Sequence, residues 1–246
     1  HATSKIADED DLSKIQTLGF RGEALAAVAS VSHFEIFTCN DEQKGATQLR
    51  LSGGVLEHQG KTGFPKGTKI SVEQLFFNTP ARLKFLKSTA TELQHIQQHL
   101  VRLALACPRI QFRLSHNKQM LLNLSSATDL EERIQQLFGE EARDGLLRVE
   151  FAENYLTFEG WISLPSKTRK SRRWQYLFVN DRHVKCPAVT HGIYDGYQGL
   201  LAKGRHPAFF LKLKVGPGEI DVNVHPAKTE IRFRNSQLVH TILTDQ

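Results

Sequence analysis

Cysteine is scarce in this 246-residue sequence. Its three thiols, Cys39, Cys107 and Cys186, lie far apart and are odd in number. No Cys-x-x-Cys occurs, so neither a zinc ribbon nor a disulfide framework is suggested, and scattered free thiols fit a reducing cytosol. Eleven histidines are present, but none is spaced as His-Glu-x-x-His, and the sequence suggests no metal site of its own. No apolar run approaches the roughly 18 residues that a membrane helix requires, so no membrane partner is expected. No basic-then-apolar signal segment opens the chain, and its first residue is His1. Internal repeats and long low-complexity tracts are absent too, which excludes solenoid architectures and biased, unfolded segments.

What is present is an ordinary globular composition: 40% hydrophobic and 24% charged residues. The length suits one large domain or two of common size. Lysine and arginine number 32 against 26 acids, a net charge of +6. That excess fits an anionic partner such as nucleic acid or a nucleotide, and fits a solvated basic surface equally well.

Periodicity predicts helices over 8–18, 21–29, 91–106, 129–138 and 187–201, and from Ser236 onward. Strands are expected over 33–38, 46–51, 55–59, 68–72, 110–114, 120–124, 146–151, 156–163, 174–179, 208–215 and 219–224. Hairpins and helices are intermixed, so the expected class is α+β in two domains. The small polar run Ser125-Ser126-Ala127-Thr128 marks the boundary, giving domains 1–125 and 126–246. Thr128 is a candidate cap for the helix that follows.

Several strings carry chemistry. Gly19-Phe20-Arg21-Gly22-Glu23-Ala24-Leu25 brackets a helix start with two glycines. Such a turn lets backbone approach a ligand and offers free N–H groups to an anion; it also serves as a plain turn between helices. Thr3, Ser4 and Lys5 offer two hydroxyls and a cation. Phe77-Asn78-Thr79-Pro80-Ala81-Arg82 places proline at a first helical position and leads into a basic stretch with Lys84. Lys167, Arg169, Lys170, Arg172 and Arg173 form a cationic run suited to phosphates, or to a solvated loop. Trp174 follows it as a candidate for base stacking or for a strand core. In Asp221-Val222-Asn223-Val224-His225-Pro226-Ala227-Lys228 the polar residues share one strand face, and Lys228 on the following loop can reach a phosphate.

The first, third and last of these blocks together resemble the MutL family of DNA mismatch-repair ATPases, within the superfamily that also holds gyrase, histidine kinases and the ninety-kilodalton chaperones (GHKL). The resemblance covers nearly the whole chain. It implies the remainder of a GHKL-type α/β sandwich, followed by a ribosomal-protein S-five-like α/β domain. It implies ATP contacts by Thr3, Ser4, Lys5, Gly19, Phe20, Arg21, Gly22, Glu23, Ala24, Leu25 and Thr68. Lys228 is implied as the second domain's sensor of the γ-phosphate. DNA contacts are implied for Lys84 and for Arg182 in Phe178-Val179-Asn180-Asp181-Arg182, with Lys167, Arg169, Lys170, Arg172 and Arg173 beside them. Asp181 stands where the family has glycine, and Asn-Asp still permits a tight turn.

The family's first two nucleotide motifs, with the water-activating glutamate, the Mg²⁺-binding asparagine and an Asp-x-Gly-x-Gly loop, have no counterpart here. They precede His-Ala-Thr-Ser-Lys in the family, so truncation at His1 is expected, and the family's C-terminal dimerisation domain is missing as well. The resemblance therefore implies a bacterial, cytoplasmic matchmaker that uses ATP and Mg²⁺ when full-length. Its implied partners are DNA, a MutS-type mismatch-recognition protein and a second copy of itself. Hydrolysis by this segment alone is not expected, because the general base and metal ligand are missing. The alternative is a non-hydrolysing DNA-binding adaptor.

Overall fold

The computed structural model describes residues 22–41, 44–153, 156–216, 219–221 and 231–244. The chain forms two compact units, His1–Glu92 and Leu93–Gln246, and its class is mixed α and β.

In the first unit, β1 (His33–Cys39), β2 (Ala46–Ser52), β3 (Val55–Thr62) and β4 (Gly67–Glu73) make an antiparallel sheet of order β3-β2-β1-β4. Alternation sorts the faces. Phe34 and Ile36 stand beside Leu51 and Leu49 of β2 and beside Val72 and Ile70 of β4. Glu35 points the other way and accepts hydrogen bonds from Arg50 and Gln48, each at 2.9 Å. Gly53 (φ 58°) and Gly54 (φ 87°) turn β2 into β3, the paired left-handed conformation that a two-residue hairpin requires.

Before the sheet runs α1 (Ala24–Ala29), and after it the short α2 (Pro80–Leu83) opens on its proline. The segment between β4 and α2 clamps the end of α1. Asn78 Nδ2 donates to the Ser30 carbonyl at 2.9 Å, Phe76 N donates to Val31 O at 2.6 Å, and the Phe77 ring stacks on His33 at 4.5 Å. The Phe-Asn-Thr-Pro string thus fixes chain direction by bonding back to the preceding helix.

The long α3 (Thr89–Ala106) carries the division between units. A hairpin follows, β5 (Phe112–His116) and β6 (Gln119–Leu124), then α4 (Leu130–Phe138) and α5 (Glu140–Arg143). Next come β7 (Leu146–Glu153), β8 (Leu156–Ser163), β9 (Gln175–Val179), β10 (Arg182–His183), α6 (Pro187–Gly196) and β11 (Phe209–Val215). The described residues close with β12 (Ile220–Asp221), β13 (Arg232–Phe233) and α7 (Ser236–Thr244). The second unit's sheet has the order β10-β9-β11-β8-β7. Its β9–β11 pair is parallel and the others are antiparallel.

Strand alternation gives this sheet two apolar faces. Leu177, Val179, Leu211 and Leu213 pack with Val189 and Ile193 of α6 and Val239 and Leu243 of α7. Phe178 and Phe210 point oppositely, onto Leu105 of α3 and Ile134 of α4. Each fully buried side chain of this size contributes roughly 1.5–3 kcal/mol. That second face draws the end of α3 into the same unit as the sheet, whereas the polar run at 125–128 is the turn between β6 and α4. Gly160 on β8 lies against β11 so closely that a Cβ there overlaps the Phe210 carbonyl.

Two local expectations are corrected. The N-cap of α4 is Asp129, whose carboxylate accepts from Glu132 N at 2.9 Å. Thr128 instead donates through its backbone N and hydroxyl to Glu132. The helix expected over 187–201 ends at Gly196, where Tyr197 leaves helical geometry and Gly199 takes φ 78°. Among the described residues no helix is long and apolar enough to cross a membrane.

Candidate nucleic-acid interface

Of the nucleotide-site expectations, Thr3, Ser4, Lys5, Gly19, Phe20, Arg21 and Lys228 lie outside the described residues. Gly22 is described and has φ 62°, the left-handed geometry that glycine adopts without a Cβ penalty. It leads to Glu23, which occupies the N-cap position of α1 without a side-chain capping hydrogen bond, and to Ala24 and Leu25 in the first turn. Thr68 is exposed on the edge strand β4. Its hydroxyl lies 2.9 Å from that of Thr38, its register partner on β1. Lys84 is exposed at the end of α2.

In the second unit the basic run divides by role. Lys167, Lys170, Arg172 and Arg173 are exposed. Arg169 is drawn inward: its backbone exchanges two 2.8 Å hydrogen bonds with His206, and its guanidinium lies 3.8 Å from the centre of the Trp174 ring. Trp174 packs on Phe138 at 4.7 Å against the core and is half-buried on the wall of the cleft described below. Arg205 donates to the carbonyl and hydroxyl of the buried Thr168. The loop is thereby pinned at Thr168 and Arg169, with its remaining cations facing water.

The β9–β10 connection is a two-residue turn with Asn180 at φ 48° and Asp181 at φ 63°. Both residues tolerate that geometry, so aspartate in place of glycine keeps the hairpin. Asn180 further bonds Val215 on both sides, accepting from its N at 3.0 Å and donating to its O at 3.2 Å. Arg182 is half-buried on β10.

A cleft of about 880 Å³ opens between α3, β9–β10 and the start of α6, and Arg102, Arg172, Arg173, His183 and Lys185 line it. None of its lining residues is acidic, and no ion pair among the described residues engages Arg102, Arg173 or Lys185. His183 records the resulting field. Burial first, and Arg102, Lys185 and His99 after it, together push its pKa down to about 4. The cleft is thus a concentration of unbalanced positive charge with half-buried walls, suited to phosphate oxygens. Sequence reading found Arg172 and Arg173 but missed Arg102, His183 and Lys185. Arg102 is a single cation on an amphipathic helix and Lys185 stands alone, so neither gave a local cluster.

The family model described as "DNA mismatch repair protein, C-terminal domain" matches residues 134–246. The DNA mismatch repair protein MutL of Syntrophotalea carbinolica is 44% identical over 244 residues, covering 99% of this chain and 39% of that protein. This chain therefore spans about two fifths of the relative's length. Among solved structures, the N-terminal domain of a DNA repair protein superposes with TM-score 0.80 at 27% identity, covering 94% of this chain and 75% of that one. The Aquifex aeolicus MutL ATPase domain complexed with ADP superposes with TM-score 0.65 at 21% identity, over 98% of this chain and 81% of that one, and so shares the fold. An identity of 44% sustained over 99% of this chain means that the chain belongs to the MutL family of DNA mismatch repair proteins.

Proposed function

We propose that this chain is the nucleotide-lid, phosphate-sensor and DNA-binding portion of an ATP-dependent mismatch-repair matchmaker. Family membership supports the repair role, and the ADP complex of a protein with the same fold supports nucleotide binding. The observation that carries DNA binding is the acid-free cleft of Arg102, Arg172, Arg173 and Lys185. Such cations neutralise phosphates without reading bases, which gives affinity that falls with salt and is largely independent of sequence.

In this reading Thr3, Ser4, Lys5, the 19–25 turn, Thr68 and Lys228 serve ATP. Lys228 stabilises phosphate charge as preorganised cations do in phosphoryl transfer. Hydrolysis with Mg²⁺ is assigned to the longer protein. Lys84, Arg182 and the exposed cations of the 167–173 loop extend the DNA surface. Residues 1–125 are the remainder of the ATPase domain, and residues 126–246 correspond to the ribosomal-protein S-five-like transducer. The longer protein acts in the bacterial cytoplasm as a homodimer, between a MutS-type protein and downstream strand removal.

The test is duplex affinity of this chain against salt. Four engaged cations give a log–log slope of about −3 to −4. Arg102→Glu with Lys185→Glu is expected to flatten that slope by about 2. An unchanged slope refutes the cleft as the DNA site. If ATP leaves the DNA affinity of the longer protein unchanged, the adaptor reading replaces the ATP-driven one.

A further inference from the structure

A pocket of about 180 Å³ lies between the second unit's sheet and its helices. Leu147 and Val149 of β7 line one side. Ile193 of α6, Tyr197 and Leu200 just beyond it, and Leu243 of α7 line the other. None of the lining residues is charged. The polar groups here are already spent: the Tyr197 hydroxyl donates to the Ser163 carbonyl, and the Ser163 hydroxyl accepts from Ala208 N at 3.1 Å. Apolar cavities of about 150 Å³ stay dry and take a benzene-sized guest. The group that fits is therefore neutral and of leucine or phenylalanine size. Leu147 and Leu200 are 48% and 58% exposed, so the pocket is reached from solvent.

The strand that walls this pocket is also a sheet edge. β7 pairs with β8 on one side and with no described strand on the other. The register runs without a shift from Leu146 to Glu153, and the strand holds neither proline nor lysine. Bulges, prolines and lysines are devices that blunt a free edge, and β7 has none of them. On its opposite face Arg148 and Glu150 lie 3.1 Å apart, both mostly exposed. Glu150 stands directly across from Glu159 of β8, a like-charge pairing that sheets disfavour.

We propose that β7 and this pocket receive an extended peptide segment of another protein, added antiparallel to the β7 edge. In strand addition, backbone hydrogen bonds supply affinity and alternate side chains supply selection. The chemistry of the segment follows from β7. Apolar residues face Leu147, Val149 and Phe151, and the one beside Leu147 enters the pocket. A cation opposite Glu150 offsets the Glu150–Glu159 opposition, and a carboxylate stands opposite Arg148. The surface requires neither ATP nor DNA, so it stands apart from the functional reading above.

The experiment is fluorescence anisotropy of a labelled peptide, Thr-Val-Lys-Val-Glu-Leu-Thr, whose residues pair in order from Ala152 back to Leu146. It is titrated with this chain without nucleotide or DNA, and circular dichroism verifies the fold of each variant. Saturable binding with a Kd below about 1 mM is expected. Arg148→Glu with Glu150→Arg is expected to weaken it by about tenfold, and exchanging the peptide's lysine and glutamate to restore it. Alanine for the peptide's leucine, or Leu200→Glu at the pocket, is expected to weaken binding by about tenfold as well. Amide hydrogen exchange is expected to slow along β7 when the peptide binds. Absence of saturation up to about 1 mM overturns the proposal. So does binding indifferent to the charge exchange and to the leucine, or binding that leaves exchange along β7 unchanged.

Discussion

His183 allows the electrostatics of the cleft to be measured directly. Its ring packs edge-on to Phe178 at 5.7 Å and Tyr176 at 6.1 Å. Burial comes first and the neighbouring cations second in lowering its pKa from 6.5 to about 4. The folded protein therefore favours the neutral ring. Stability from this group is complete above pH 6.5, declines as the unfolded chain binds the proton below that pH, and is fully lost below about pH 4. At ~1.4 kcal/mol per pH unit, the span corresponds to about 3 kcal/mol at most, reduced by solvent reaching the partly covered ring. His183→Gln is expected to abolish that part of the acid sensitivity. Denaturant titrations of both proteins between pH 7 and 4 measure the difference.

Nuclear magnetic resonance of the same imidazole joins this result to function. Phosphates seated beside Arg102 and Lys185 offset the cations, so duplex DNA is expected to raise the His183 pKa while burial keeps it below 6.5. A ring that titrates near 6.5 in the free protein refutes the buried, cation-rich site. A low value that DNA leaves unmoved refutes DNA occupancy of the cleft while sparing its electrostatics.

Other substitutions test the scaffold and the assigned roles. Gly160→Ala drives a methyl into the Phe210 carbonyl and is expected to cost more than ~3 kcal/mol in chemical denaturation. Arg133 is fully buried and donates to the Pro108 and Ile110 carbonyls. Arg133→Met takes the donor from the Ile110 carbonyl, while Pro108 keeps its hydrogen bond from Ala127 N at 2.9 Å, and is expected to cost about 1–3 kcal/mol, with relief of the buried charge offsetting part of the loss. Asp129→Ala removes the α4 cap, for about 1 kcal/mol by thermal melting. In the longer protein, Lys228→Ala is expected to impair ATP-driven closure and spare ATP-independent DNA binding. Arg182→Glu is expected to weaken DNA binding instead. Retention of both activities by both variants refutes the assigned roles.

Much of the fold was legible because local rules agree with the final packing. The β2–β3 turn announces itself through Ser52-Gly53-Gly54, and α3 through its apolar spacing. The 187–201 pattern misled because Leu200 and Leu201 continue helical periodicity beyond Gly196, while tertiary packing and Gly199 turn the chain. Thr128 misled in a smaller way: Thr and Asp are adjacent cap formers, and position relative to Glu132 decides between them. For the site, clusters were legible and convergence was not. A run of five cations is visible in one line of sequence, but Arg102 and Lys185 meet only across α3 and β10.

That convergence also explains why the basic run is not uniformly available to a ligand. A flexible loop of five cations must lose conformational freedom whenever it grips a phosphate. Here Arg169 gives up its exposure to cover Trp174, and Arg205 holds Thr168, so part of the ordering precedes binding. Lys170, Arg172 and Arg173 then project from a fixed base, with Arg172 lying 5.7 Å from the Tyr194 ring. Cation–aromatic contacts at such sites are worth about 0.5–1 kcal/mol, enough to bias a side chain without trapping it. The half-buried Arg169 thus acts through the exposed cations. Arg169→Lys, which keeps the charge but not the planar stack, is expected to lower DNA affinity by loosening the loop while leaving the salt slope unchanged. A reduced slope would instead mean that Arg169 itself reaches a phosphate.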